Sequence, residues 1–128
     1  MDSNPRFLLL SGSLLMVLAV IFGAFGSHVV EGMLTPGRYD TYLIGVRYHF
    51  YHALGLLLIG AASFHVSNQW IRWSGIAILA GVLIFSGSLY LLTLLDLPWL
   101  GAVTPIGGVA MILGWAFLFT AILKVATE

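Results

Sequence analysis

Cysteine is missing from this chain, and charge is scarce: 8% of its 128 residues are charged, five basic and five acidic. Without Cys there can be no disulfide, no thiolate metal site and no cysteine nucleophile. A soluble domain normally carries roughly a quarter charged residues, and so few charges cannot cover the surface that a small soluble core leaves in water. The formal net charge is zero, so there is no basic footprint for nucleic acid. A catalytic triad is absent. Gly23-Ala24-Phe25-Gly26 closes a hydrophobic helix rather than opening one, the wrong end to cradle a phosphate. The expectation is therefore a protein that is not an enzyme, with no metal and no cofactor.

What the chain has is apolar surface. It is 60% hydrophobic, with a mean hydropathy of +1.04, and the solvent that suits such a surface is lipid. Four apolar runs stand out, at about 7–27, 48–66, 71–95 and 104–125, each near the length a helix needs to cross about 30 Å of hydrocarbon. Backbone groups in lipid must be satisfied within the segment, so the runs should be helices. The expected fold is all-α: a single-domain, integral membrane four-helix bundle. A secretory signal peptide competes for the first run, with Arg6 before it and Ala24-Phe25-Gly26 as a cleavage-like site. The run exceeds the usual 7–15 residue apolar core of such a signal, so a retained helix is preferred.

The first connection is the long one, from His28 to Arg47. Thr35-Pro36 reads as an N-cap followed by Pro at the first helical position. Tyr39, Tyr42, Leu43 and Val46 then recur at helical spacing. This predicts a short amphipathic helix at the membrane interface or bending into the second span, with Gly45 as the bend. Thr104-Pro105 repeats the same start for the fourth helix. Four spans put both termini and the middle connection on one side, with Arg6, Arg72 and Lys124; Arg38 and Arg47 lie on the other. Counting Lys and Arg, both termini face the cytoplasm, in a bacterial inner membrane.

Fifteen glycines are too many for the loops. Ala77 with Gly81, Ala110 with Gly114 and Gly23 with Ser27 follow the small-xxx-small pattern that lets helices approach in lipid. Packing within the bundle explains them, and a homo-oligomer or a larger membrane complex would use the same motif.

The polar residues concentrate toward the end that faces the first and third connections. His28, Tyr48, His52, Ser86, Ser88, Tyr90 and Thr104 are expected to form one polar cluster there. Such a cluster has three readings. It can anchor helices through hydrogen bonds. It can bind a small molecule or protons, since His titrates near neutrality, which extends to an oligomeric transporter or channel for protons or a very small solute. It can hold a metal or haem, with two His on different helices as axial ligands. No carboxylate stands ready to complete a metal shell.

The motifs that carry these residues also carry a resemblance. Gly23-Ala24-Phe25-Gly26-Ser27-His28, Tyr48-His49-Phe50-Tyr51-His52-Ala53-Leu54, Phe85-Ser86-Gly87-Ser88-Leu89-Tyr90 and Thr104-Pro105-Ile106-Gly107-Gly108, followed by Gly114-Trp115, occur in that order. The chain resembles, over nearly its whole length, the YgdD-like family of small bacterial inner-membrane proteins, a domain of unknown function with mitochondrial relatives. The resemblance implies a four-helix membrane protein without assigned chemistry, structural or accessory, or a small binding component. Ser27 replaces a commoner Ala, and His49 stands where Gln or another polar residue is expected. The second departure shifts a metal or haem reading from His49 and His52 onto His28 and His52.

Overall fold

A computed structural model describes residues 4–126, and within them every regular element is helical. Helix α1 (Asn4–Val20) runs through a π-helical turn (Ile21–Gly26) into α2 (Ser27–Glu31). Helix α3 spans Pro36–Ala62 and α4 spans Gln69–Leu94. A 3₁₀ turn (Pro98–Ala102) leads into α5 (Thr104–Ala126). Four helical stretches are long and apolar enough to cross a membrane: Pro5–Glu31, Pro36–Ala62, Gln69–Leu94 and Pro98–Val125.

The helices run up and down. The N-terminal part of α1 meets the end of α3 and the start of α4, because Gly60 faces Leu9 and Gly75 faces Leu8. Asn68, which caps α4 by accepting from the Ile71 N–H at 3.1 Å, also donates to the Ala121 carbonyl at 3.2 Å. Helix α1 packs on α3, α3 on α4, and α4 on α5, while α1 and α4 barely touch. The core runs along that order through Leu8, Leu56, Ile59, Ile71, Ile78 and Val82, all nearly solvent-free. The opposite faces are apolar too: Phe25, Ile112 and Phe119 are each about 70% exposed. A surface of this kind belongs in hydrocarbon.

Helix α3 differs from expectation. Thr35 caps it by accepting from the Arg38 N–H at 3.3 Å, with Pro36 in the first turn. No separate interfacial helix follows, and the ladder runs without interruption past Gly45 to Ala62. The stripe that suggested an interfacial helix turns inward instead: Tyr42 is fully buried and Val46 nearly so. The first connection thus shrinks to residues 32–35. Gly45 allows a close approach of α4, a Cβ there lying 3.3 Å from the Leu89 and Tyr90 side chains.

Thr104 differs as well. Its hydroxyl pairs with Ser88 on α4 and donates to the Leu100 carbonyl at 3.2 Å, so it ties two helices together rather than capping one. At the same end Arg38 joins α3 to the α4 terminus, through the Leu92 carbonyl (3.1 Å) and the Asp96 carboxylate (2.8 Å). Asp96 takes a left-handed conformation (φ 55°), which a short polar side chain tolerates at a helix end.

Candidate functional site

The π turn and α3 are built around one another. Gly23 lets Val46 and Phe50 approach, with an added Cβ 3.0–3.1 Å from them. At Gly26 an added Cβ would lie 2.7 Å from the Tyr42 hydroxyl. That hydroxyl donates to the Phe22 carbonyl at 2.7 Å, inside the widened turn. A π turn leaves backbone carbonyls less regularly paired than an α-turn, and an inserted hydroxyl satisfies one.

Two turns further along α3, on the same face, lies His49. It is buried and sits halfway along the helix. Its Nε2 is 2.8 Å from the Leu15 carbonyl, which only accepts, so Nε2 carries the proton. Its Nδ1 is then the acceptor for the Tyr90 hydroxyl, also at 2.8 Å. Tyr90 packs against Phe22 and Tyr42, ring centres 4.8 and 5.5 Å apart. Three helices are thereby joined through one imidazole.

His52 takes the opposite tautomer. Nδ1–H donates to the Tyr48 carbonyl at 2.8 Å, and Nε2 accepts from the Trp115 indole N–H at 3.0 Å. The His52 ring also stacks on Tyr48, and Gly55 makes room for the indole, with a Cβ position 2.8 Å from it. Trp115→Phe removes the donor together with the part of the indole that fills the space beside Gly55. The expected loss is about 2–3 kcal/mol of stability, hydrogen bond and cavity together, and nitrogen NMR of His52 should show Nε2 no longer hydrogen-bonded. An unchanged spectrum would refute the pairing.

The expected polar cluster is therefore divided. Ser88 and Thr104 form one pair. Ser86 donates to the Gly45 carbonyl at 2.7 Å. Tyr90 bonds His49, and Tyr48 stacks on His52. His28 is exposed on α2 and joins none of them. Gly26 is level with Tyr42, so His28 and His52 are separated by more than about 15 Å along the bundle axis. They cannot meet on one iron, and that expected pairing is not formed. The reason lies in α3: it starts at Pro36, so residues 48–52 sit at mid-bundle and not beneath a loop. Among the described residues no three metal-ligating side chains come together.

Over the His49–Tyr90 pair α1 and α4 part. The gap holds three adjoining spaces of about 140, 440 and 340 Å³, with Phe22 lining all of them. Together they make an apolar crevice that opens sideways from the bundle, walled by Leu15, Leu18 and Ile21 on one side and Leu83, Gly87, Leu91 and Leu94 on the other. Gly87 is unusual. Most interior glycines are pinched by a neighbouring helix, whereas a Cβ on Gly87 would meet nothing within 4 Å.

Residues 22–108 match the family described as "Protein of unknown function (DUF423)". The chain belongs to the DUF423 family. Among its relatives are UPF0382 membrane proteins. One from Staphylococcus epidermidis is 42% identical over 94% of this chain and 98% of its own length. One from Staphylococcus aureus is 40% identical over the same shares. YwdK of Bacillus subtilis is 38% identical over 93% of this chain and 98% of its own. No solved structure matches. The resemblance read from the motifs thus leads to a family of small membrane proteins of unknown function. The DUF423 match takes in the π turn except Ile21, with His49, Gly87 and Tyr90, and ends before Trp115.

His49, Tyr42, Phe22, Gly87 and Trp115 were not among the expected site residues. The signal for His49 was present, since it falls seven residues after Tyr42 on one helical face. Nothing local marks Gly87 as different from the other helix glycines.

Proposed function

We propose that this chain is a non-enzymatic lipid-binding component of the bacterial cytoplasmic membrane, both termini cytoplasmic, whose crevice between α1 and α4 takes a hydrocarbon chain. The supporting observation is the sideways apolar opening with Gly87 in its wall. A glycine inside a helix costs about 1 kcal/mol relative to Ala. Where it makes no close contact within the chain, an occupant approaching the bare backbone accounts for it. The lining is hydrocarbon and aromatic, and the hydroxyl of Tyr90 is already committed to His49, so the occupant is recognised by shape and not by hydrogen bonds. The hydroxyls of Ser74, Ser86 and Thr93 each donate to a backbone carbonyl, which supports a packing role for them and not a chemical one.

Gly87→Leu fills the wall without touching the core. Protein extracted in mild detergent should carry a retained lipid that the variant has lost, read by native mass spectrometry. Equal lipid content in both would sink the proposal. Loss of a co-purifying protein in place of lipid would make the crevice a docking site for a membrane partner.

A further inference from the structure

More of α3 is buried than of the other three spans, and what it leaves open is one narrow stripe. Ile44, Arg47, Tyr51, Leu54, Leu58 and Ala61 are exposed, and they recur at alternating steps of three and four. That is the 3.5-residue spacing of a helix seam, the width that one neighbouring helix covers. The stripe lies on the far side of α3 from the crevice: Arg47 is two residues from His49, about 200° around the helix.

The stripe is apolar except at its middle. Arg47 lies about 16 Å along the axis from Pro36 and about 22 Å from Ala62, well inside the hydrocarbon when a helix of this length crosses about 30 Å of it. It has no hydrogen-bond or ion-pair partner among the described residues. Tyr51 follows one turn deeper and is 56% exposed, and Tyr48 meets it edge to face, ring centres 6.1 Å apart. Neither phenol hydroxyl is hydrogen-bonded among the described residues. A guanidinium and two hydroxyls open toward hydrocarbon are costly, and such groups in membrane proteins face a polar partner. The group that satisfies them accepts hydrogen bonds, carries negative charge and sits at mid-bilayer depth. A carboxylate on a neighbouring helix meets all three conditions. It accepts from a guanidinium at two oxygens and has lone pairs left for a phenol.

A second copy of this chain does not supply that carboxylate. Glu31 and Asp96 lie at the end of the bundle, Asp40 is about 10 Å nearer that end than Arg47, and Asp2 and Glu128 are at the termini. Two copies in one membrane orientation would oppose Arg47 to Arg47. We infer that the α3 stripe docks one transmembrane helix of a different membrane protein, whose Asp or Glu at mid-span pairs with Arg47 and accepts from Tyr48 and Tyr51. Ile44, Leu54 and Leu58 pack on the apolar residues of that helix to either side of the pair.

The test uses the full chain in phosphatidylcholine vesicles with a synthetic polyleucine helix whose central residue is Glu, and reads their association by energy transfer between dyes on the two. A matched helix with a central Gln should associate roughly tenfold more weakly, and Arg47→Gln should remove the difference. Arg47→Glu with a Lys-centred helix should restore association, which keeps the test decisive even if Arg47→Gln folds poorly. Moving the Glu two turns toward either end of the helix should lose the preference, because Arg47 acts at one depth. Equal association of the Glu and Gln helices with the native chain overturns the proposal, since Arg47 is then satisfied by its own chain or by lipid. A Glu preference that survives Arg47→Gln overturns it as well. In native membranes a photo-crosslinker in place of Leu54 should join a protein with Asp or Glu at mid-span, and the adduct should vanish in Arg47→Gln. An adduct with a copy of this chain, or with lipid alone, overturns it.

Discussion

Gly107→Ala should destabilise the bundle by about 2–3 kcal/mol, the range for inserting atoms into a closely packed site, while Gly108→Ala one position later should not destabilise it. The two glycines look alike in sequence and differ in what they face. A Cβ on Gly107 would lie 2.5 Å from the Phe85 nitrogen and 2.8 Å from the Gly81 carbonyl oxygen. These are backbone atoms and cannot rotate away. The reciprocal contact is as tight, with a Cβ on Gly81 2.6 Å from Met111 and 3.0 Å from the Gly107 carbonyl. Helices α4 and α5 therefore touch backbone to backbone, and one methyl would force them apart along the whole seam. In lipid no hydrophobic gain compensates for that lost contact. At Gly108 the nearest atom is the Phe85 ring at 3.8 Å, an ordinary contact. There the better helix propensity of Ala dominates and stability should rise by under about 1 kcal/mol. Unfolding in mixed micelles with increasing SDS measures both. Equal effects at the two positions would show that the seam is looser than its geometry.

That contrast marks the limit of the sequence. Four apolar runs, the cap and proline at Thr35-Pro36 and an excess of interior glycine were all legible, because length, capping and small-residue packing are local properties. Which glycine meets which backbone is a property of two helices, and Gly107, Gly108 and Gly87 differ in nothing local. The polar residues failed differently. A second span beginning near Tyr48 would place them beneath the first connection. Because α3 starts at Pro36, His49 and His52 move to the middle of the bundle, and His28 stays at its end. The resemblance favours His28 over His49, yet His49 is the residue that joins three helices. A lone histidine flanked by aromatics carries no local sign of the carbonyl on another helix that will accept its proton.

His49→Leu tests that junction. Leucine is close enough in size to leave little cavity, so the effect is chiefly the hydrogen bonds. The Leu15 carbonyl keeps its place in its own helix and loses only a second donor. The Tyr90 hydroxyl, 2.8 Å from Nδ1 in the native protein, loses its acceptor while still surrounded by Phe22 and Tyr42. A buried donor left unmade costs about 1–3 kcal/mol, against an average near 0.6 kcal/mol for a hydrogen bond between membrane helices. The orphaned hydroxyl should dominate, giving a loss of about 2–3 kcal/mol. Tyr90→Phe alone should cost about 1 kcal/mol, because the remaining Nδ1 is an acceptor without a donor. The double variant should then be more stable than His49→Leu alone, since it removes both halves of the pair. A double variant that merely adds the two losses would mean that His49 and Tyr90 are not coupled. In that case the crevice floor would be held by aromatic packing alone.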